Sequence, residues 1–229
     1  MDTIREYRPE DRAAVYDICV RTADAGADAR GVYSTDELMG DLFAGPYVRL
    51  EPGLAFVVDH GGTAVGYVVG TADTPRFARR YREIWIPEVA GRFPEPVPVT
   101  DTDMVAVHRN PERMILPELA GYPAHLHIDL LPGYQGRGHG RRLIERFCAA
   151  AARAGAAAVH VGMLTANVRA RGFYDRLGFT ELPVPEPGPL TYLGRPSAAR
   201  IPAARPPGSG GRAAPAANTS VAGGRKGVR

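Results

Sequence analysis

The sequence predicts one α/β domain in which helices flank a central sheet. Segments with strand-like alternation and segments with helical spacing of apolar residues follow each other along the chain. The strand-like segments in the middle of this order are the most apolar, as the centre of a sheet requires. With 229 residues, of which 45% are hydrophobic, the chain can bury the core of one such domain.

The part of the chain before residue 71 supplies a strand, two helices and a hairpin. Pro9 suits the first turn of a helix and Glu10 and Asp11 suit its dipole, while Ser34 and Glu37 have the spacing of a capping box. The glycines of Asp59–Gly62 predict a tight turn between two strands. The predicted elements are a strand at Thr3–Tyr7, helices at Arg8–Thr22 and Ser34–Phe43, and strands at Leu54–Val58 and Ala64–Gly70.

Residues 71–122 are predicted to form a long loop inserted in the domain. They hold Trp85, many prolines and little periodicity. A loop of this length in a compact domain is usually functional or contains short elements of its own. Short helices are expected near Arg76–Tyr81 and Glu112–Leu119.

The chain then returns to regular elements. His125, His127 and Asp129 alternate with Leu126, Ile128 and Leu130, which predicts a strand. It leads into a glycine-rich turn and an amphipathic helix that begins near Arg141. The remaining predicted elements are a strand at Ala157–Leu164, a helix at Asn167–Leu177 with Gly178 as its C-cap, and a final hairpin of Phe179–Leu182 and Leu190–Leu193.

The positive charge of the chain lies at its C-terminal end. The net charge is +3, yet the seven basic and no acidic residues from Arg195 onward leave 21 basic and 25 acidic residues in 1–194. We therefore expect a domain at 1–194 and a disordered basic tail of Ala, Pro, Gly and Arg at 195–229. The tail could contact nucleic acid, but a solvated tail is the preferred interpretation.

We expect the protein to be cytoplasmic. The first twelve residues are charged and lack the apolar run of a secretion signal, and no stretch reaches the roughly 20 apolar residues of a membrane helix. Cys19 and Cys148 both fall in predicted helices and are interpreted as core residues in a reducing compartment. The sequence leaves a homodimer open.

Gly136, Gly138 and Gly140 lie between the strand and the next helix, which indicates a phosphate cradle. Glycines let backbone N–H groups approach a ligand closely, and a helix N-terminus favours negative charge. A Walker loop would end in Gly-Lys-Ser/Thr, but Arg141 follows the last glycine. A dinucleotide fold expects an acidic residue about 20 positions on, and none occurs at 149–174.

Two motifs together resemble those of the GNAT superfamily of N-acetyltransferases. The first is Gln135-x-x-Gly138-x-Gly140, and the second is Asn167-x-x-Ala170-x-x-x-Tyr174-x-x-Leu177-Gly178-Phe179. The resemblance covers residues 3–194 and implies a mixed, mostly antiparallel sheet. Gly70–Thr74, Trp85–Pro87 and the proline-rich approach to Leu126 further resemble the acetyltransferase-like C-terminal domain of O-GlcNAcase and its stand-alone bacterial relatives.

The resemblance implies an acetyl-CoA-dependent N-acetyltransferase. The acetyl group would pass to a primary amine, on a small molecule or a protein lysine, in a ternary complex without a covalent enzyme intermediate. The alternative is a catalytically weak or inactive acetyl-CoA-binding or interaction module. The expected donor-binding residues are Leu130 or Leu131 through a backbone N–H, the loop residues Gln135, Gly136, Arg137, Gly138, His139, Gly140 and Arg141, and Asn167, which is equally suited to cap a helix.

Within this loop, His139 is expected to be exposed, with its backbone mattering more than its ring. Tyr174 matches the family's general acid, whose hydroxyl protonates the leaving thiolate; the alternative is a core tyrosine.

The sequence offers two candidates for the general base. Asp129 and His127 lie on the non-leucine face of the strand that leads to the loop, and either could take the proton of the amine. Alternatively, they form a satisfied buried pair. His125 and His127 could also bind a metal, but no third ligand presents itself, so no metal is expected.

The long loop is expected to form part of the acceptor site. Asp73, Trp85 and Asp101 are candidates to bind a cationic amine through charge or cation–π contact, although Trp85 is also well suited to anchor an irregular segment in the core.

Overall fold

The computed structural model describes residues 2–93 and 95–199. Seven strands form one sheet in the order β1-β2-β3-β4-β5-β7-β6. Every neighbouring pair is antiparallel except β4 and β5, so the expected mixed, mostly antiparallel sheet is confirmed. The strands are β1 Thr3–Glu6, β2 Phe56–His60, β3 Thr63–Thr71, β4 Ala124–Leu130, β5 Ala158–Leu164, β6 Thr180–Leu182 and β7 Leu190–Pro196.

Eight α-helices flank the sheet in the described part of the chain. None of them combines the length and apolar character needed to cross a bilayer. The long helix after the glycine-rich turn begins at His139, two residues before the predicted start. The helices are α1 Arg12–Val20, α2 Glu37–Phe43, α3 Gly45–Leu50, α4 Thr74–Arg80, α5 Ile86–Val89, α6 Thr102–Arg109, α7 His139–Arg153 and α8 Val168–Arg176.

Each face of the sheet carries its own core, because alternate residues of a strand point to opposite faces. Leu126, Ile128 and Leu130 of β4 pack with α7 and α8 in one core. Helices α1 to α4 cover the other face, where Tyr67 and Val69 of β3 are buried. Cys19 and Cys148 lie in these two different cores.

The long insertion is far more structured than a loop. α4 lies close to the predicted Arg76–Tyr81 helix, and short 3-10 turns occupy Pro111–Met114 and Pro117–Leu119. α3 and α5 were not expected from the sequence, and neither was α6. Its buried apolar residues, Met104 and Val105, cover only one turn, which is too short for helical periodicity to appear.

The last strand extends beyond the expected domain boundary at residue 194. Arg195 belongs to β7, is 2% exposed, and donates hydrogen bonds to the carbonyl oxygens of Leu177 and Ala199. Most of the predicted tail, residues 200–229, lies outside the described residues.

Candidate active site

The two parallel strands in the middle of the sheet separate. β4 pairs with β5 only at Ala124 with Val159 and at His125 with His160. Beyond these positions β4 continues to Leu130 along β3, and β5 continues along β7. A cleft therefore opens between the C-terminal ends of β4 and β5.

Backbone alternation at the end of β4 distinguishes its two leucines. The Leu131 N–H donates to the Val65 carbonyl at 3.1 Å, so it is committed to β3. In an antiparallel pair, the preceding residue directs its N–H and C=O to the other side, which for Leu130 is the side of the cleft. The Leu130 carbonyl accepts a hydrogen bond from Gln135 Nε2 at 2.8 Å. Of the two residues named from the sequence, Leu130 has the backbone orientation that an oxyanion donor needs.

The glycine-rich turn has three features that would suit a bound phosphate group. Gly136 and Gly138 have positive φ values of 71° and 81°, and Gly138 is the N-cap of α7. The first N–H groups of a helix lack intrahelical partners and attract anions. No acidic residue occurs between Leu130 and Ile144, whereas Arg137, Arg141 and Arg142 do. The residues present therefore fit a pyrophosphate.

Gly140 serves a different purpose from the other two glycines. A Cβ at this position would lie 2.9 Å from the Phe173 ring, so glycine allows α7 and α8 to pack closely. Arg137 places its guanidinium 5.5 Å from the centre of the Tyr134 ring.

His139 is buried, and the prediction of an exposed side chain is wrong. It is 3% exposed because the first turn of α7 packs against the N-terminal segment. Its Nε2 lies 2.9 Å from a carboxylate oxygen of Asp2, and its Nδ1 lies 2.6 Å from Arg142 Nη2. The ring therefore attaches α7 to the start of the chain.

Helix α8 carries the other two residues expected beside the donor. Asn167 is the N-cap of α8 and accepts from the Ala170 N–H at 3.0 Å. Tyr174 is fully buried in the core that also contains Leu130. Its ring meets those of Phe173 and Phe179 edge-on, at 5.2 and 5.1 Å.

A cavity of about 70 Å³ opens where β4 and β5 part, on the face of the sheet opposite α7. Its lining comes from segments that are distant in sequence. They include Tyr47 of α3, Arg113, His125 and His127 of β4, His160 of β5 and Tyr192 of β7.

Four side chains form a hydrogen-bonded chain beside this cavity. Thr74 Oγ1 lies 2.8 Å from the Pro123 carbonyl oxygen and 2.7 Å from His125 Nδ1. The Tyr47 hydroxyl lies 2.8 Å from His125 Nε2 and 3.1 Å from His127 Nε2.

This network assigns the hydrogens on both histidines. A carbonyl oxygen only accepts, so Thr74 donates to Pro123 and accepts from His125 Nδ1–H. His125 Nε2 then carries a lone pair and accepts a hydrogen bond from the Tyr47 hydroxyl. The Tyr47 oxygen in turn accepts a hydrogen bond from His127 Nε2–H. His127 Nδ1 is left with a lone pair and no hydrogen-bond partner among the described residues.

The histidines of the cavity are neutral near pH 7. Burial lowers the pKa of His127 to about 3, helped by the positive charge of Arg113. Burial also lowers the pKa of His160 to about 4 and that of His125 well below its usual value. A neutral imidazole with a bare lone pair is a proton acceptor.

Asp129, the other candidate base, is not among the residues that line the cavity. It is 1% exposed and accepts a hydrogen bond from the Tyr67 hydroxyl at 2.5 Å. Burial raises the pKa of its carboxyl to about 7, although the hydrogen bond from Tyr67 opposes the rise.

None of the three acceptor candidates from the long insertion reaches the cavity. Asp73 caps α4 by accepting from the Arg76 N–H at 2.9 Å. Trp85 is buried and donates to the Asp41 carbonyl at 2.9 Å, in agreement with its alternative interpretation as a core anchor.

Asp101 is also buried and accepts from the Ser34 N–H at 2.9 Å. The insertion contributes Arg113 and Met114 to the cavity instead. No signal in the sequence marked these two residues, because their place depends on how the insertion packs.

Within residues 2–93 and 95–199, no three His, Cys, Asp or Glu side chains are grouped so that they could hold a metal ion.

Comparison with known proteins gives relatives of three kinds. The acetyltransferase (GNAT) domain family matches residues 101–181. SsHAT, a protein of known crystal structure, is 57% identical with a TM-score of 0.81, and the match covers 86% of this chain and 99% of SsHAT. YncA from Salmonella typhimurium, solved with its cofactor acetyl-CoA, shares the fold at 18% identity and a TM-score of 0.50, over 89% of this chain and 99% of YncA.

O-GlcNAcase from Rattus norvegicus is 29% identical over 133 residues. These residues are 56% of this chain, and the chain spans only 14% of O-GlcNAcase. The expected resemblance to the acetyltransferase-like domain of O-GlcNAcase is therefore confirmed. The match to SsHAT covers 99% of that protein, and the GNAT domain model matches residues 101–181. The chain therefore belongs to the GNAT acetyltransferase family.

Proposed function

We propose that the protein is an N-acetyltransferase that moves the acetyl group of acetyl-CoA to a primary amine in a ternary complex. One observation carries the proposal. β4 ends at a turn with two glycines of positive φ at a helix N-terminus, and the face of this strand opposite α7 carries an imidazole nitrogen of His127 that has no hydrogen-bond partner among the described residues. A donor and an acceptor held at these two places would meet at the cleft beside Leu130.

Residues at the end of β4 and in the glycine-rich turn would bind the acetyl donor. Backbone N–H groups of the Gly136–Arg141 turn would hold the pyrophosphate, with Gln135 fixing the turn to the Leu130 carbonyl. When bound, acetyl-CoA supplies an electrophilic thioester carbonyl and a thiolate leaving group. The Leu130 N–H would donate to the negative charge that develops on the carbonyl oxygen.

Proton transfer would use one residue on each side of the cleft. His127, whose Nδ1 is buried beside the cavity, would accept the proton that the amine loses. Tyr174 would donate its hydroxyl proton to the thiolate. One proton leaves the amine and one reaches the sulfur, so the transfer yields an amide and a thiol.

The low pKa of His127 does not exclude this role. The reference values of a primary ammonium and a histidine imply an uphill proton transfer of about 5 kcal/mol. Burial near Arg113 lowers the proton affinity of His127, and an ammonium entering the same cavity experiences both effects. Its pKa would therefore fall together with that of the imidazole.

Calorimetric titration with acetyl-CoA tests the donor half of the proposal. A Gly138→Trp variant should lose binding, because the side chain would fill the cradle. Gly155→Trp is the matched control, since Gly155 also has a positive φ, of 93°, and open space around it, but follows the opposite end of α7.

The proposal predicts saturable binding by the wild type and the control only. If the folded wild type does not bind, the enzyme function is refuted. Binding without acetylation of any amine would instead support the alternative of an inactive acetyl-CoA-binding module.

A further inference from the structure

Arg113 is the one formally charged side chain among the described residues that line the acceptor cavity. It follows Pro111 and Glu112 in a 3-10 turn of the long insertion and is exposed. The other titratable groups of the lining are histidines and tyrosines, which are neutral near pH 7. A ligand in this cavity would therefore meet a single positive charge at its exposed side.

The guanidinium of Arg113 is not neutralised by the described part of the protein. No described carboxylate lies within ion-pair distance of it, and its Nε donates only to the Val107 carbonyl at 3.3 Å. Other arginines of the same insertion are paired: Arg82 with Glu112, Arg92 with Asp41 and Arg109 with Glu95. Glu112, its neighbour in sequence, is thus already engaged.

The charge of Arg113 acts inside the cavity. It contributes to the lowered pKa of His127, and it opposes the rise in the pKa of Tyr47 and Tyr192 that burial causes. A positive potential of this kind repels an acceptor with further cationic groups, such as a lysine in a basic peptide. It attracts a carboxylate or a phosphate, which a guanidinium binds through two parallel hydrogen bonds.

We propose that the acceptor is a small primary amine that also carries an anionic group, and that Arg113 binds this group. The inference rests on the proposed acetyl transfer for the identity of the site and adds the class of its substrate. An amine that enters as a zwitterion brings no net charge into the cavity, so its anion meets Arg113 while its ammonium approaches His127.

Matched pairs of amines provide the test. Phenylalanine and 2-phenylethylamine differ only in a carboxylate, and O-phosphoethanolamine and ethanolamine differ only in a phosphate. Each compound is titrated calorimetrically into the full chain saturated with CoA, where binding is measured without turnover. A lysine-containing basic peptide represents the rival class.

We expect the anionic member of at least one pair to bind at least 10-fold more tightly than its partner, and the pair that shows this identifies carboxylate or phosphate. Arg113→Ala should reduce the ratio to about 1, and Arg113→Glu should invert it. Arg109→Ala, four residues earlier and outside the cavity lining, should leave the ratio unchanged. High salt should reduce it in the wild type.

The inference is overturned if no anionic amine binds, if the preference survives in Arg113→Ala, or if the basic peptide binds best. Failure of the proposed function looks different. In that case the anionic amine binds with the expected dependence on Arg113, but added acetyl-CoA yields no acetylated product and no thiol.

Discussion

The donor side and the acceptor side of the cleft are built in contrasting ways. The proposed donor cradle comes from one continuous stretch, Gln135–Arg141, and would offer mainly backbone N–H groups. The acceptor cavity combines side chains from α2, α3, the Arg113 turn, β4, β5 and β7. Strand β4 would serve both proposed sides: the Leu130 N–H is directed to the cleft, and His125 and His127 line the cavity.

This contrast implies a difference in sensitivity to mutation. A backbone cradle depends on φ values and on open space, so most side chains in it can change. The chemistry of the cavity depends on which nitrogen of each imidazole carries a hydrogen. The hydrogen bonds between Thr74 and His125, between His125 and Tyr47 and between Tyr47 and His127 fix this choice. We therefore expect conservative substitutions to be tolerated in the cradle and costly in the cavity.

The largest expected effect separates the two candidate bases. His127→Gln should lower kcat/KM by about 10³-fold, within the usual range for a general base, because the lone pair at Nδ1 is lost. Binding of acetyl-CoA should not change. The measurement is thiol release with an amine that the wild type acetylates.

Asp129→Asn is the matched control for this comparison. It keeps an acceptor for the Tyr67 hydroxyl and should lower the rate only a few-fold. A larger loss in Asp129→Asn than in His127→Gln would move the base from the cavity to the buried carboxyl.

The second effect is a pH dependence of the free energy of unfolding that arises from the buried Asp129 carboxyl. Its pKa is about 7 in the folded protein and about 3.9 when unfolded, so the folded state binds more protons between these values. Stability should therefore fall as pH rises, by about 3 kcal/mol between pH 5 and pH 8 from this group alone. Urea unfolding at the two pH values measures it.

Asp129→Asn should lose that part of the pH dependence. Asp101→Asn provides a control that should leave the change between pH 5 and pH 8 unaltered. Burial would raise the pKa of Asp101, but hydrogen bonds from Ser34 and Thr100 lower it overall, so this carboxylate stabilises the fold above its unfolded pKa. An unchanged pH dependence in Asp129→Asn would show that the carboxyl is ionised at pH 5 in the folded protein.

The third effect tests the donor side through a side chain. Tyr174→Phe keeps the ring contacts with Phe173 and Phe179 and removes only the hydroxyl. We expect kcat to fall about 100-fold, as for loss of a general acid, with little change in KM. An acceptor that forms its amide at the wild-type rate in this variant would exclude Tyr174 as the acid.

The smallest effect tests the hydrogen-bonded chain behind the base. Thr74→Val is nearly isosteric and removes the hydroxyl that holds His125 as its Nδ1–H tautomer. We expect a rate loss of about 10-fold, since loss of one buried hydrogen bond costs about 1–2 kcal/mol. Ring nitrogen chemical shifts should show mixed tautomers at His125 and His127, which a purely structural effect of Thr74 would not produce.

The elements predicted correctly are those whose signals lie in neighbouring residues. The alternation of β4, the glycines after it and the spacing of α7 and α8 are properties of neighbouring residues, and the corresponding elements were placed to within about two residues. Helices α3, α5 and α6 and the burial of His139 were not predicted. α6 is too short to show periodicity, and the burial of His139 depends on Asp2, more than 130 positions away.

The candidate acceptor residues show the same limit. A cationic amine attracts carboxylates and aromatic rings, which Asp73, Trp85 and Asp101 offer, but each of these residues is engaged in a helix cap or in buried contacts. Arg113, of opposite charge to those carboxylates, lies at the cavity instead. The sign of a residue's charge does not predict whether it lies at the cavity, because the packing of the insertion decides which charged side chains remain unpaired.

The family, the order of the seven strands along the chain, and helices α1, α2, α7 and α8 follow from the sequence, since they depend on motif residues, on periodicity and on glycine at fixed spacing. The tertiary structure alone decided which of His127 and Asp129 faces the cavity and which histidine nitrogen is bare. The physical reason is that a proton acceptor is defined by its hydrogen-bond partners, and here those partners lie on four segments that only folding brings together.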